Sequence, residues 1–320
     1  MSRQAFLTGG TGFVGANLAR VLLEGGWTVR ALARPGSDRR NLAGLPLEIV
    51  EGDLTDRDLA RKIDGSAAVF HVAAHYSLYR SERASLVRSN VDGTRNVLAA
   101  ARAAGVRRTV YTSSVAAIGV RHGAPADETY QSPPEKLIGA YKRSKYFAER
   151  EAVEAAAGQD VVIVNPTTPL GAWDRKPTPT GEILVRFLNG KMWALVQTGL
   201  NFVDVLDVAD GHLLAYEKGR SGERYILGGE NLSLGTLLQR VGAVVGRRAP
   251  SVAVPLWLPL AVAWTEEYVL ARLGRTPTVP LDGVRMSGES MYYDASKARS
   301  ELGFAPKPID GAIRAAIRWF

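Results

Sequence analysis

The chain has 320 residues, of which 46% are hydrophobic, with no cysteine and a formal net charge of +8. This composition is typical of a soluble globular protein, and the lack of cysteine excludes disulfides and thiolate metal sites, so we expect no metal. The positive charge favours anionic partners or an acidic membrane surface, whereas scattered lysines and arginines argue against nucleic acid. Polar residues 1–4 lead straight into a core strand, which leaves no room for a signal peptide and predicts a cytoplasmic location.

The first predicted element is a strand that runs into a glycine-rich turn. The apolar run 5–7 precedes three glycines at a spacing of three, and a helical pattern then continues to Gly25. Glycines allow a sharp turn and close backbone approach to a ligand, and the free N–H groups at a helix start bind anions. This strand–turn–helix context predicts a dinucleotide site. We expect these residues to contact the cofactor: Gly9, Thr11, Gly12, Phe13, Val14 and Gly15.

The end of the second predicted strand, residues 27–33, decides the cofactor preference. An acidic residue at this position binds a ribose 2′-hydroxyl, whereas an arginine accommodates a 2′-phosphate. Arg34 occupies the position, with Arg39 and Arg40 close behind. Guanidinium groups suit phosphate oxygens, so the sequence favours NADP over NAD. Asp38 in the same loop argues for NAD.

Two further predicted strands, 47–50 and 67–74, lead toward the same crevice. A carboxylate after the first of them can face the adenine, although Asp53 could equally be a helix N-cap. The second strand ends in small residues, which let a cofactor lie close. The predicted cofactor contacts here are Asp53, Leu54, Ala73 and Ala74.

Three histidines and one tyrosine are assigned either a structural role or a role in substrate binding. His71 lies inside the fourth strand and should be a packed, hydrogen-bonded histidine. His75 and Tyr76 come directly after that strand and are candidate substrate residues. His212 lies on a later predicted helix and is expected to be structural.

The chemistry is predicted to depend on Ser114, Tyr141 and Lys145. Ser114 follows the fifth predicted strand, 106–111, and can hydrogen-bond a substrate oxygen. Tyr141 and Lys145 are four residues apart in a helical stretch and therefore share a helix face. A phenol is a poor acid near neutral pH, and we expect the lysine cation to lower its pKa. A serine, a tyrosine and a cation around one C–O group suit hydride transfer from a nicotinamide.

Alternating strands and helices predict an α/β fold with a doubly wound parallel sheet and a smaller, mostly helical C-terminal substrate lobe. The predicted cofactor domain spans 1–171 plus about 200–228. The substrate lobe spans 172–199 plus 229–320. Residues 201–210 should form a strand that returns to the sheet and then the start of a helix, with Asp207 as its N-cap.

The apolar run Val252–Trp264 contains two tryptophans and no charge. It is too short to span a membrane. One hypothesis is an apolar substrate entrance or membrane-surface patch formed by Trp257, Leu258, Leu260 and Trp264. The alternative, which we favour, is ordinary core or dimer packing.

The glycine motif, residues 71–74, 90–94 and 111–114, and the Tyr141-x-x-x-Lys145 pair resemble the extended short-chain dehydrogenases/reductases, and within them the NAD-dependent epimerase/dehydratase family. The C-terminal stretch 294–304 extends the resemblance over essentially the whole chain. The subgroups it is most similar to are the dihydroflavonol-4-reductase-like proteins and the hopanoid-associated sugar epimerases. The resemblance implies a homodimer and catalytic roles for Ser114, Tyr141 and Lys145. It also implies cofactor contacts from Tyr141, Lys145, Asn90, Thr112, Pro166 and Thr168.

One departure from the family pattern bears on the substrate. Sugar-nucleotide members carry an arginine and an asparagine where this chain has Asn165 and Thr168, which puts a UDP-sugar in doubt. The sequence favours an NADP-dependent reductase that transfers hydride reversibly at a C–O centre of a lipid-linked or sugar-like small molecule. A hopanoid-associated sugar epimerase or dehydratase with retained cofactor is the alternative. A non-catalytic nucleotide-binding protein is a third reading, although binding alone requires no proton donor.

Overall fold

Apolar runs separated by helices form one seven-stranded, fully parallel sheet. The computed structural model describes residues 3–270 and 277–320. The strand order is β10-β6-β5-β4-β1-β2-β3 with every neighbouring pair parallel, which confirms the predicted doubly wound sheet. Its strands are β1 (Gln4–Thr8), β2 (Thr28–Ala33), β3 (Glu48–Glu51), β4 (Ala68–His71), β5 (Arg108–Thr112), β6 (Val161–Pro166) and β10 (Arg224–Leu227).

Helices cover both faces of this sheet and build the rest of the molecule. Apolar side chains of α1 and α8 pack on one face, and those of α2, α4 and α6 pack on the other. Residues 87–92 form a π-helical turn that runs directly into α4. The helices are α1 (Phe13–Glu24), α2 (Leu59–Ile63), α3 (Arg83–Leu86), α4 (Gly93–Ala103), α5 (Val115–Ile118), α6 (Gly139–Ala155), α7 (Pro179–Leu188), α8 (Val205–Lys218), α9 (Leu234–Val245), α10 (Trp257–Thr265), α11 (Leu281–Met286) and α12 (Asp310–Trp319).

A second, smaller sheet lies outside the main one. Its central strand pairs with one antiparallel neighbour and two parallel ones, and α7, α9 and α12 pack around it. A separate two-stranded parallel pair completes the strands. The members of the small sheet are β7 (Thr168–Leu170), β9 (Gly199–Asp204), β11 (Glu230–Ser233) and β13 (Ser290–Met291), and the pair consists of β8 (Ala194–Leu195) and β12 (Val252–Ala253).

Two local predictions in this region are wrong. The strand expected to return to the main sheet is β9, which pairs only within the small sheet. The N-cap of α8 is Asp204 rather than Asp207, because Asp204 has an extended backbone and its carboxylate accepts a hydrogen bond from the Leu206 N–H. Asp207 lies in the first turn of α8 and accepts from the Lys307 N–H at 2.7 Å instead. The domain boundaries stay a prediction, and residues 1–2 and 271–276 within them lie outside the described part.

The topology fixes where a ligand can bind. The chain leaves β1 toward β2 and β3, then crosses back to β4 on the other side of β1. In open α/β sheets, ligands bind at the carboxyl ends of the strands where the order reverses in this way.

Candidate active site

A cavity of about 1320 Å³ opens at the carboxyl ends of β1, β4 and β5 and continues into the smaller lobe. Residues from the glycine turn, the strand ends and α6 meet along its wall. The sequence-predicted residues that line it are Gly9, Thr11, Gly12, Phe13, Val14, Gly15, Arg34, Asp53, Leu54, Ala73, Ala74, His75, Tyr76, Thr112, Ser114, Tyr141, Lys145, Pro166 and Thr168.

The glycine turn has the shape that a pyrophosphate requires. Gly9 has φ +75°, and a Cβ there would lie 2.5 Å from the Ala73 nitrogen. A Cβ on Gly15 would lie 2.2 Å from the Gly9 oxygen, so only glycine permits this packing of turn on helix. Gly12 is the N-cap of α1 and no side chain caps it, so the first N–H groups of this helix are left for an anion. The turn therefore fits a dinucleotide phosphate.

The end of β2 holds one arginine that faces the cavity and two that do not. Arg40 forms an ion pair with Asp38 at 2.7 Å, and Arg39 pairs with Glu51. The Arg40 guanidinium holds the pKa of the Asp38 carboxyl well below its usual range. Within the described part of the chain, Arg34 makes no such pair and lines the cavity together with Ser37, whose Oγ donates to the Arg34 carbonyl at 2.7 Å. Sequence reasoning missed Ser37.

Asp53 lies in an Asx turn rather than at a helix start. Its Oδ1 accepts from the Thr55 N–H at 3.0 Å and from the Thr55 hydroxyl at 2.7 Å. The nearest helix, α2, begins six residues later at Leu59, so the N-cap alternative is wrong. The turn holds Asp53 and Leu54 at the cavity wall.

Ser114 and Tyr141 stand together in the middle of the cavity. Ser114 is the N-cap of α5, where its Oγ accepts from the Ala116 N–H at 3.1 Å, which leaves the hydroxyl proton free to be donated. Burial raises the pKa of Tyr141 to about 12, and a hydrogen bond from the Ser114 hydroxyl opposes this shift. The ring of Tyr76 packs against that of Tyr141 with 4.3 Å between centroids. The substrate candidate Tyr76 therefore lies next to the phenol.

Lys145 is buried behind this pair and is held by strand β5. Its Nζ donates to the Thr112 carbonyl at 2.8 Å and to the Tyr111 hydroxyl at 3.3 Å. Burial lowers the pKa of Lys145 to about 8, while the charge of Glu149 acts in the opposite sense. The expected net lowering of the Tyr141 pKa is not found in the protein alone, because removal from water dominates and raises that pKa.

A buried polar network that sequence reasoning missed supports Ser114 and Lys145. Asn165 donates to the Ser114 carbonyl at 3.1 Å and to the Glu149 carboxylate at 2.6 Å. Glu149 also pairs with Arg224 at 3.0 Å. The signal was present in the spacing, because residues 141, 145 and 149 are four apart and share one face of α6. A glutamate on the catalytic face of a helix indicates a supporting charge.

Two residues expected to contact the cofactor have other partners. Asn90 does not line the cavity, because its amide accepts from the His75 N–H at 2.7 Å and donates to the His75 carbonyl and to Ser144 Oγ, both at 2.9 Å. It clamps the loop that carries His75 and Tyr76. Thr112 lines the cavity, but its hydroxyl bonds His212 Nε2 at 2.8 Å.

Both buried histidines are structural, as expected. His71 Nδ1 lies 2.7 Å from the Thr8 hydroxyl and its Nε2 lies 3.0 Å from the Thr94 hydroxyl. His212 Nδ1 donates to the Val208 carbonyl at 2.7 Å, so its Nε2 is the nitrogen that accepts from Thr112. Burial lowers the pKa of His71 to about 3 and that of His212 to about 4, which keeps both rings neutral.

The part of the cavity in the smaller lobe is mainly apolar. One cation stands out there: Lys142 is only 4% exposed, and the nearest polar contact of its Nζ is the Met291 sulfur at 3.8 Å. Burial lowers the pKa of this lysine. The apolar lining includes Leu78, Ile183, Met192, Leu200, Leu234 and Val284.

Comparisons with known proteins agree with this geometry. Residues 5–228 match the model of the "NAD dependent epimerase/dehydratase family". The chain is 60% identical to a Synechocystis sp. protein named "Putative dihydroflavonol 4-reductase", with 98% of this chain and 94% of that protein covered. It is 37% identical to "Sterol demethylase protein B" of Methylococcus capsulatus, with 98% and 97% covered. The crystal structure of gox2253 is 45% identical, covers 100% of this chain and 98% of its own, and superposes with a TM-score of 0.88. The chain belongs to the NAD dependent epimerase/dehydratase family and is an NAD(P)-dependent oxidoreductase of that family.

Proposed function

We propose that the protein is an NADP-dependent reductase that interconverts a ketone and a secondary alcohol on a largely apolar molecule. The observation that carries this proposal is the apolar lining of the smaller lobe, where Leu200, Leu234 and Val284 face the cavity. Apolar walls with a few polar groups bind apolar ligands and use the polar groups to orient them. The names of two relatives, a dihydroflavonol 4-reductase and a sterol demethylase protein, agree with such a substrate.

The departure at Asn165 supports a substrate other than a sugar nucleotide. This residue replaces the arginine of sugar-nucleotide members, and its amide nitrogen is engaged by the Ser114 carbonyl and Glu149. It therefore offers no cation to a diphosphate. Besides Lys145, Lys142 supplies a buried positive charge at the cavity wall, which suits an oxygen-rich or anionic group of the substrate.

The NADP preference rests on Arg34 and Ser37. Arg34 faces the cavity with its guanidinium uncommitted among the described residues, and the neighbouring Asp38 is neutralised by Arg40. An arginine fork and a hydroxyl suit the oxygens of a 2′-phosphate. Asp38, the residue that favoured NAD in the sequence, is therefore paired with Arg40 and does not oppose a 2′-phosphate.

The catalytic roles follow from the positions of the three side chains. When bound, the nicotinamide supplies or accepts the hydride. The Ser114 hydroxyl donates a hydrogen bond to the substrate oxygen and keeps its proton, and its own oxygen accepts from the Ala116 N–H. Tyr141 gives its proton to that oxygen during reduction and takes it back during oxidation. In the protein alone, burial keeps this phenol protonated at neutral pH, which is the state that proton donation during reduction requires.

A sugar epimerase with retained cofactor is the second candidate, because the same three side chains serve it and because the family includes epimerases. One experiment separates the two. The purified protein is incubated with NADPH or NADH and a panel of ketones, from polycyclic and isoprenoid ketones to nucleotide sugars. A reductase consumes NADPH with an apolar ketone and releases the alcohol. Conversion of a nucleotide sugar to its epimer with no net cofactor consumption would favour the epimerase and refute our proposal.

A further inference from the structure

Helix α10 is an apolar helix that the protein leaves uncovered. Eight of its nine residues, Trp257–Trp264, are uncharged and apolar, and only Ala263 is buried. A helix that is hydrophobic on all sides is normally buried in a core or in lipid. Trp257 is 66% exposed and Trp264 is 52% exposed, and their spacing of seven residues places them on one face. The favoured expectation for this run was core or dimer packing, and core packing is wrong for these side chains, whereas dimer packing stays a prediction.

The exposed apolar side chains continue beyond α10 onto the neighbouring strand pair. Trp193 is 73% exposed and directly precedes β8, which pairs in parallel with β12. Both strands are tied at their ends, since the Val254 N–H donates to the Leu195 carbonyl at 2.9 Å. We call this surface the apolar rim; it consists of Trp193, Val252, Trp257, Leu258, Val262 and Trp264.

The apolar rim borders the substrate end of the cavity. Met192 and Ala194, on either side of Trp193, both line the cavity while the indole between them points to solvent. α10 also packs on α11, whose Val284 and Met286 line the same cavity. Any external surface that the apolar rim contacts would therefore lie beside the substrate entrance of the cavity.

Basic side chains lie close to the strand side of the rim. Neither residues 183–203 nor residues 231–265 contain an aspartate or glutamate. Lys191 and Arg248 are exposed and, within the described chain, form no ion pair. Arg247 donates to the carbonyls of Phe187 and Leu188 at the end of α7. This contact places Arg247 and the adjacent Arg248 close to Lys191. Tryptophan and basic side chains together are the groups that hold proteins at anionic membrane surfaces.

The acidic residues at the far end of α10 have partners within the protein. Glu266 accepts from the Thr278 and Val279 N–H groups at 2.7 and 2.9 Å, and Glu267 lies 3.6 Å from Arg80. Among residues 3–270 and 277–320, the structure has no helix with the length and apolarity needed to cross a bilayer. A surface contact is therefore the form of membrane association that these residues support.

We infer that the apolar rim docks the protein on the surface of an anionic lipid bilayer and turns the cavity entrance toward the lipid. Docking follows from the exposed tryptophans and the basic side chains alone. The consequence that an apolar ketone passes from the bilayer into the cavity rests on the proposed function. The two statements are tested separately, because lipid binding is measured without turnover.

The test is flotation of the full chain with phosphatidylcholine vesicles and with vesicles that contain phosphatidylglycerol. We expect binding to the anionic vesicles that weakens with salt. The double substitution Trp193→Ser with Trp257→Ser should lower binding at least about tenfold. Lys191→Gln with Arg248→Gln should lower it about 30-fold on anionic vesicles only, since each basic residue contributes about fivefold. Phe147→Ser, which removes an aromatic ring of 47% exposure from α6, is the matched control and should bind like the parent.

Three outcomes would overturn the inference. The parent protein would fail to float with either vesicle. The double tryptophan variant, with unchanged circular dichroism, would bind as well as the parent. The parent would stay lipid-free as a dimer in sedimentation while the tryptophan variant became a monomer, which would identify the rim as a subunit interface. Turnover of a water-dispersed ketone in the absence of vesicles tests the proposed function independently of all three.

Discussion

Replacing Arg34 with alanine should shift the protein from NADPH toward NADH. Arg34 is the cavity-lining arginine at the end of β2, whereas Arg39 is engaged by Glu51. A hydrogen bond between charged groups contributes about 1.5–3 kcal/mol. Loss of the guanidinium should therefore weaken NADPH binding about 10- to 150-fold, at about tenfold per 1.4 kcal/mol. NADH, which has no 2′-phosphate, should lose threefold or less by the same physical argument.

The assay is titration of the purified parent and variant with each nucleotide, followed by quenching of tryptophan fluorescence. Arg39→Ala is the matched control, because it removes a cation from the same loop without removing a cavity residue. Its NADPH affinity should stay close to that of the parent. Equal weakening of NADPH and NADH by Arg34→Ala, or no change in either, would refute the assignment of Arg34 to the 2′-phosphate.

Three further substitutions test the surroundings of the site. Because the pKa of Lys145 is about 8, NADPH affinity should fall as the pH rises through 8 and this lysine loses its charge. The Glu149 charge raises the pKa of Lys145, so Glu149→Gln should move the loss of affinity to lower pH. Titrations of NADPH affinity from pH 6 to 10 with the parent and the variant check the two expectations. Asn90→Ala removes three hydrogen bonds of a buried amide and should lower the free energy of unfolding by about 2–4 kcal/mol in urea. The exposed control Asn189→Ala should change it by about 0.5 kcal/mol or less. Lys142→Met removes an unpaired buried charge and should raise the free energy of unfolding by about 1 kcal/mol or more. The same substitution should raise KM for an acidic ketone, because the charge that binds its anionic group is lost. An unchanged KM would show that Lys142 has no role in substrate binding.

The cofactor half of the fold and site could be predicted from sequence because its signals are local. The glycine turn must be glycine for the steric reasons found at Gly9 and Gly15, and the alternation of strand and helix specifies a parallel sheet. The spacing of four residues predicted that Tyr141 and Lys145 share one helix face, and both line the same cavity.

The wrong predictions concern features that depend on contacts between residues far apart in the sequence. Asn90 looked like a cofactor residue because its motif is local, but its amide is satisfied by His75, which is fifteen residues away in sequence. The pKa of Tyr141 depends on how much water the fold removes, which no spacing reveals. The return strand near residue 200 paired with β11 and β13, partners that lie far along the chain.

The substrate lobe was the least predictable region for the same reason. Its cavity wall is assembled from side chains as distant in sequence as Leu78, Ile183 and Val284. No single stretch carries a periodic signal for such a wall. The exposure of Trp257 likewise depends on what the fold leaves uncovered, and the apolar run alone favoured core or dimer packing.

In the proposed reaction, the phenol of Tyr141 exchanges a proton with the substrate oxygen. Tyr141→Phe removes only that hydroxyl, so the variant should bind NADPH within about twofold of the parent and unfold at a similar urea concentration. Its kcat for the ketone identified in the panel should fall by about 10²- to 10⁴-fold, which is the usual contribution of a positioned acid or base. A folded, NADPH-binding Tyr141→Phe protein that turns over as fast as the parent would contradict the account.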